Sequence, residues 1–326
     1  MTRRAGALVI IGAALCALAA PLLAPHTADA RDGALLNAPP TWPHLVADDG
    51  SLHAPFIYRW RLVSRLEQRY EEDRSARVPL TWFAGGHLVQ SSNETDAPFL
   101  LLGADSFGRD VLSRLLYGAR ISLGLAAVAA LGATLLGAAV GGLAGYRGGT
   151  IDDLLMRGTD FVMVLPAMYV ALALRAVLPL VLTPAEVFAL LAVIFAALGA
   201  PYIARGVRAI VRSERRLEYA AAAEALGASG WRLLGRHLLP ATRGFIAVQI
   251  TVLVPAFIVA EATLSYVGLG FPDPVASWGT MLHDAATNIR VFADFPWLLS
   301  PAVAMFIVVL ALNLVLQDEK RLSARG

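Results

Sequence analysis

The side chains best suited to metal ligation or proton transfer are six histidines, His26, His44, His53, His87, His237 and His283. None has acids or cysteine around it at the spacing a metal needs. A phosphate-binding loop ends its glycine turn on a lysine, and the one lysine, Lys320, stands in the C-terminal tail. No Gly-x-Ser-x-Gly elbow presents a nucleophile. Cys16 is the single cysteine, so a disulfide framework is excluded. The chain is therefore expected not to be an enzyme, with no metal site and no cofactor of its own.

Composition explains why chemistry is so sparse. Of 326 residues, 57% are hydrophobic and 16% charged, and the mean hydropathy is +0.61, whereas soluble domains run nearer 45–50% and about 25%. A net charge of +2 argues against a nucleic-acid binder, whose basic surplus would be large and clustered. A helix crosses a hydrocarbon core of about 30 Å with roughly 20 uncharged residues. Ala5–Ala24, Ile121–Tyr146, Val187–Ala204 and Pro296–Leu316 meet that test cleanly, Phe161–Leu182 apart from Arg175, and Phe245–Ala260 as a shorter run leading into Glu261. The expectation is an all-α polytopic membrane protein with six transmembrane helices.

Orientation follows from the short loops, where arginine and lysine stay inside. With the N-terminus inside, Arg3 and Arg4, Arg147 and Arg157, eight arginines from Arg205 to Arg243, and Lys320, Arg321 and Arg325 all fall on the cytoplasmic side. The stretch from His26 to Arg120 lies outside with ten arginines, balanced by twelve acids, and long segments translocate largely regardless of charge. Arg3, Arg4, the apolar run and Ala28-Asp29-Ala30 also fit a signal peptide, but the run is long for one, which favours an uncleaved anchor. Within the outer segment, Phe56, Trp60, Val63, Leu66 and Tyr70 recur at helical spacing, and Val78–Phe83 and His87–Gln90 flank Gly85-Gly86 as a hairpin would. A small α/β-like insertion is expected there.

Three features inside the bundle stand out. Gly137, Gly141 and Gly145 repeat every four residues on one helix face, where small side chains admit a second helix, in this chain or in another subunit. Arg175 either lines a pathway or subunit contact or marks an earlier helix end, and Glu261 reads as an interface residue. The polar connection Arg205–Arg243 holds strong helix formers from Arg215 to Leu226, a stop at Gly227-Ala228-Ser229-Gly230, and a second helical run that Pro240 is expected to end. Two short helices on a glycine turn make a knob better suited to docking than to catalysis.

That knob carries a resemblance. Glu218-Tyr219-Ala220-Ala221-Ala222-Ala223-Glu224-Ala225-Leu226-Gly227-Ala228-Ser229, followed by Arg236-His237-Leu238-Leu239-Pro240, resembles the EAA loop of inner-membrane permease subunits of binding-protein-dependent ABC importers. The His-Leu-Leu-Pro ending is similar to the dipeptide and oligopeptide branch. Leu102 to Arg114, with Gly103, Asp105, Gly108, Arg109, Asp110 and Arg114, resembles the segment before that branch's second helix. Glu261 to Gly270, with Ser265 and Gly268, and then Trp278-Gly279, resembles the outer loop after its fifth. The sequence departs from the family where Ala221 replaces the motif's glutamate, where Gly103-Ala104-Asp105 replaces Gly-Thr-Asp, in a longer outer segment and after Asn313.

The resemblance implies a type I ABC importer permease fold in a bacterial inner membrane, with both termini cytoplasmic. Its expected parts are an anchor helix over 1–25, an extracytoplasmic insertion over 26–100, a permease domain over 101–316 containing the 205–243 loop, and a tail over 317–326. It further implies a second homologous permease as heterodimer partner, an extracytoplasmic solute-binding protein, surrounding membrane lipid, and two ATPase subunits that bind ATP and Mg. Glu218, Tyr219, Ala222, Ala223, Glu224, Gly227, Ala228, Ser229, Arg232, His237 and Pro240 would face an ATPase. Peptides are the implied cargo; nickel, glutathione and oligosaccharides stay open, as do an ion-coupled transporter, disfavoured by clean spans without carboxylates, and a membrane-anchored sensor.

Overall fold

The computed structural model describes residues 2–47, 50–177, 182–288 and 290–323. Arg3, Lys320, Arg321 and Arg325, counted above for orientation, lie outside the residues whose side chains are described. The chain divides into two compact units, one of residues 1–3, 123–264 and 312–326, the other of residues 4–122 and 265–311.

The element order is α1 (Thr2–Leu18), α2 (Ala20–Leu23), β1 (His44–Val46), β2 (Leu52–Ser64), β3 (Arg69–Trp82), β4 (Val89–Ser91), α3 (Val111–Arg147), α4 (Gly149–Val164), α5 (Ala167–Val177), α6 (Pro184–Glu214), α7 (Glu218–Ala225), α8 (Gly230–Leu233), α9 (Arg243–Tyr266), α10 (Trp278–Ala286) and α11 (Ser300–Ser323). Among the described residues, α3, α6, the helical stretch Gly230–Tyr266 and Pro296–Val315 are long and apolar enough to cross a membrane. A fifth crossing follows if α4 and α5 form one bent span. The apolar part of α1, Arg4–Leu18, is shorter.

In the helical unit, the run expected as one helix over 161–182 is instead broken. α4 and α5 meet at 87°, because Pro166 pushes Leu165 out of the helical region, to φ −71° and ψ 133°. Residues 178–181 lie outside the described residues. Arg175 sits within α5 and is buried. The α6 helix starts on a capping box, with Thr183 accepting from the Glu186 amide. Asp152 of α4 is buried and accepts from Arg208 Nη2 at 2.6 Å and Arg212 Nη1 at 3.5 Å, both on α6. A buried carboxylate without such donors would be strongly unfavourable.

The glycine stripe packs inside this chain. A Cβ on Gly141 would overlap the Ala204 carbonyl, one on Gly137 would lie 2.7 Å from the Ala200 carbonyl, and one on Gly145 2.7 Å from the Arg208 carbonyl. Only glycine lets α3 and α6 approach this closely.

In the second unit, the four strands form an antiparallel sheet in the order β1-β2-β3-β4. The helix expected over Phe56–Tyr70 does not form, and the insertion is a β-structure rather than α/β. Phe56, Tyr58, Trp60 and Leu62 also alternate with Arg59 and Arg61, and that period of two wins because β3 supplies acids across the ladder. Arg59 faces Asp73 and Arg61 faces Glu71, while Leu62 faces Tyr70. The expected hairpin does form, Leu80 pairing with Ser91 and Trp82 with Val89. Leu35, Ala38, Tyr70, Leu100 and Ala104 pack a core beneath the sheet.

Gly141→Leu should lower the melting temperature in detergent, at a cost of about 1–3 kcal/mol from overpacking. Gly158→Ala, where a Cβ meets nothing within 4 Å, should leave melting unchanged or raise it.

Candidate functional site: a helical knob and a buried arginine cluster

The knob is built from local rules. After α6, Leu217 turns extended and α7 begins. The α7 helix closes on Gly227, at φ 85°, with Gly227 N donating to the Glu224 carbonyl at 2.9 Å and Ala228 N to the Ala223 carbonyl at 3.0 Å. Those two bonds are a Schellman closure, which places a left-handed residue at the position glycine fills most easily. The chain restarts at Gly230, where a Cβ would overlap the Tyr146 hydroxyl. Arg215 donates to the Tyr146 carbonyl, and its guanidinium lies 4.5 Å from the Tyr146 ring centroid. Both ends of the knob are thereby fixed to the last turn of α3.

Pro240 does not end the second short helix. The chain passes from α8 through a π-helical turn at Leu234–Leu238 and a 3-10 turn at Leu239–Thr242 directly into α9. The wider π turn makes room for the proline ring, which cannot donate and would clash in regular helix.

Glu218, Tyr219, Ala222, Glu224, Gly227, Ser229, Arg232 and His237 are exposed, while Ala223, Ala228 and Pro240 are half-buried. Ala220, Leu233, Leu234 and Leu238 turn inward. Leu217, Leu226 and Trp231 were not singled out by their pattern, yet Leu226 is 90% and Trp231 74% exposed. Bulky apolar residues on an otherwise polar connection were the available signal. With the exposed alanines they leave apolar surface on the knob, of a kind suited to a protein partner.

The second constellation lies in the other unit. The Arg109 guanidinium is buried, at 1% exposure. Its Nε donates to Asp105 Oδ2 at 2.6 Å, its Nη1 to Asp273 Oδ1 at 2.8 Å and its Nη2 to Asp284 Oδ2 at 2.6 Å. Arg114, also buried, lies 3.6 Å from Asp105 and from Asp284. Burial pushes the Asp284 carboxyl above its usual range despite the pull of Arg109 and Arg114. Asp105 and Asp110 shape the backbone around them. Asp105 Oδ1 accepts from the amides of Phe107 at 2.8 Å and Arg109 at 2.9 Å, and Asp110 accepts from the amides of Leu112 and Ser113 at the start of α3. Gly108, at φ 72°, meets the Asp32 carbonyl where a Cβ would stand, and Gly103 does the same with the Ala38 carbonyl and Trp297.

The third signature splits. Glu261 is fully buried inside α9, and α9 continues to Tyr266, so Glu261 and Ser265 stand in a helix rather than in a loop. Gly268, at φ 79°, follows the helix end, and a Cβ on Gly270 would overlap Ser265. Trp278 N donates to Ser122 Oγ and Trp278 Nε1 to the Leu115 carbonyl, each at 3.1 Å, and Gly279 is buried beside it. Asp273 and Asp284 had no motif to mark them; only folding brings them to Arg109. Among the described residues, no group of three or more His, Cys, Asp or Glu is placed to hold a metal ion. The cluster locks loops together rather than presenting a reactive group.

His26 adds a titratable clasp to this unit, with Nε2 2.7 Å from Glu94 Oε2 and Nδ1 3.3 Å from Asp110 Oδ2. Burial alone would lower its pKa, but the hydrogen bonds and charges of Asp110 and Glu94 outweigh that and raise it from 6.5 to about 9. The clasp's contribution, up to about 3 kcal/mol, should therefore be complete below pH 6.5 and lost as pH rises towards 9. Melting measured across that window should fall more steeply for the natural chain than for His26→Gln. Arg109→Ala, which leaves buried carboxylates uncompensated, should cost about 3–5 kcal/mol, read as lost folded protein in detergent.

Over 214 residues the chain is 37% identical to the oligopeptide transport system permease protein OppC of Bacillus subtilis (strain 168), covering 65% of this chain and 67% of the relative. It is 39% identical over 220 residues to the dipeptide transport system permease protein DppC of the same strain, covering 66% of each. To the glutathione transport system permease protein GsiD of Pectobacterium atrosepticum it is 34% identical over 223 residues, covering 68% of this chain and 71% of the relative. The matched stretch thus spans about two thirds of these relatives. Residues 111–317, which hold the knob and, among the described residues, every helix long and apolar enough to cross a membrane, match a family model. The chain belongs to the binding-protein-dependent transport system inner membrane component family.

Proposed function

We propose that the chain is a permease subunit of an ABC importer for dipeptides or oligopeptides, coupled through the 205–243 knob to separate ATPase subunits. The observation that carries this is the apolar surface that Leu226 and Trp231 leave exposed on the knob, which is held by Tyr146 and Arg215 to the end of α3 and continuous with α6 and α9. A pull on α7 would reach α6 through the short 215–217 turn, α3 through the contacts of Arg215 and Gly230 with Tyr146, and α9 through the π and 3-10 turns. ATP-driven closure of two partner ATPases, which hold the ATP and Mg, would rock the bundle between inward- and outward-open forms. Tyr219, Ala222, Ala223, Gly227, Ala228, Ser229 and Arg232 would make the contact.

The same reading takes α1–α2, α3, α4–α5, α6, α9 and α11 as six spans in a bacterial inner membrane. Both termini lie in the cytoplasm, with an anchor over 1–25, an outer insertion over 26–100, the permease domain over 101–316 and a cytoplasmic tail beyond. A related permease completes the pathway, and a solute-binding protein delivers cargo from outside. Peptide cargo is favoured by the oligopeptide and dipeptide relatives, and glutathione by the third. An ion-coupled transporter would have no use for a projecting apolar knob.

Gly227→Val should insert normally and retain ATP hydrolysis in the assembled complex while losing peptide uptake by about tenfold or more, since the branched side chain opposes φ 85° and costs roughly 1–2 kcal/mol. Normal uptake at normal expression would refute the coupling role. Deleting 218–236 should abolish co-purification of the ATPases. Competition by peptides, glutathione, nickel and sugars for uptake would then identify the cargo.

A further inference from the structure

The β3–β4 hairpin carries an exposed aromatic pair that the transport reading leaves unused. Trp82 is 55% and Phe83 73% exposed. Phe83 holds φ 54°, a left-handed conformation that asparagine or glycine adopts more easily than a bulky residue. From Val78 to Asn93 there is no Asp, Glu, Lys or Arg. The other long hairpin tip, at Leu66, also exposes an apolar side chain but sits between Arg65 and Glu67. The β3–β4 tip alone of the two is both apolar and uncharged.

Its attachment places the tip beside the end of α2. Leu88 N donates to the Leu22 carbonyl at 2.6 Å, and the Leu88 carbonyl accepts from Phe83 N at 3.1 Å, so one residue bridges Phe83 to the end of α2. His87 Nδ1 donates to the Ala24 carbonyl at 2.6 Å, and Gln90 Nε2 to the Pro25 carbonyl at 3.1 Å. Along α1 and α2, Leu8, Ile11, Leu15, Leu18 and Leu22 are exposed at spacings of three and four, a single apolar stripe that leads to this joint. Residues 2–23 would rise about 33 Å as helix, close to the hydrocarbon thickness.

We propose that the β3–β4 tip is a lipid-interface anchor, with Trp82 and Phe83 seated at the boundary of headgroups and acyl chains beside the outer end of α2. This inference rests on the reading that α1–α2 crosses the membrane. Aromatic side chains concentrate at that depth because the ring is apolar and the indole N–H still meets water. Continuity with the apolar stripe, together with the absence of charge, selects lipid over a protein occupant. The anchor fixes the sheet at the membrane surface, so that the insertion cannot swing about residues 24–26.

The test labels a cysteine at Phe83→Cys, in a Cys16→Ala background, with an environment-sensitive fluorophore. The full chain is reconstituted in phosphatidylcholine vesicles bearing nitroxides at shallow or deep acyl positions. The expected result is blue-shifted emission quenched most by the shallow nitroxide, with Leu66→Cys unquenched and Leu18→Cys quenched more by the deep one. Trp82→Cys is labelled in the same way should Phe83→Cys fold poorly. Quenching at Leu18→Cys without quenching at the tip overturns the anchor while leaving the membrane helix intact. A tip that is unquenched by lipid but shielded once the other importer subunits are added belongs to a protein contact and also overturns it. Loss of quenching at both positions removes the membrane reading of α1–α2, and the anchor with it.

Discussion

The close approach of α3 and α6 is the constraint on which the helical unit depends. Gly137, Gly141 and Gly145 leave no room for a Cβ against the Ala200, Ala204 and Arg208 carbonyls. In lipid there is little hydrophobic drive between helices, so packing of this kind holds them together. The seam ends one residue before Tyr146, whose ring, hydroxyl and carbonyl receive Arg215 and Gly230. The knob is therefore an extension of the seam, and its orientation is set by backbone contact rather than by flexible side chains.

The second unit is held by a different force. Arg109 and Arg114 lose their hydration on burial; Asp105, Asp273 and Asp284 replace it for Arg109 with short, directional hydrogen bonds, while Arg114 donates to the Ala28 and Pro274 carbonyls and lies 3.6 Å from Asp105 and Asp284. Such a cluster contributes less to net stability than to uniqueness, because every alternative loop arrangement leaves a buried charge exposed to apolar surroundings. Gly103 and Gly108 allow the loops to reach it, and Asp110 joins it to the start of α3 and, through His26, to the segment after α2.

Much of this was legible in the residues. The Gly227 stop, the glycine stripe and the long apolar helices all follow from short-range rules, and the structure places each near its expected position. Three readings failed because the residues considered did not contain the feature that decided the outcome. Phe56 to Tyr70 satisfies both helical and strand periods, and the facing acids of β3 select the strand. Pro240 can end a helix or be absorbed, and the π turn before it absorbs it. Pro166, unremarked within an apolar run, breaks the helix by holding Leu165 extended. In the Arg109 cluster, Asp105 stands in a motif, whereas Asp273 and Asp284 are more than 160 residues away in sequence and no spacing could link them.

The sequence by itself determined where the chain is apolar, where its helices stop and which connection projects from the bundle, since these depend on side-chain hydropathy and on φ preferences acting over a few residues. Tertiary structure alone decided which carboxylates neutralise Arg109, that the glycines pack within the chain, that Leu226 and Trp231 face outward, and that the insertion is a sheet. Those outcomes are settled by groups distant in sequence, because a buried charge or a close backbone contact takes its energy from whatever the fold brings within a few ångströms.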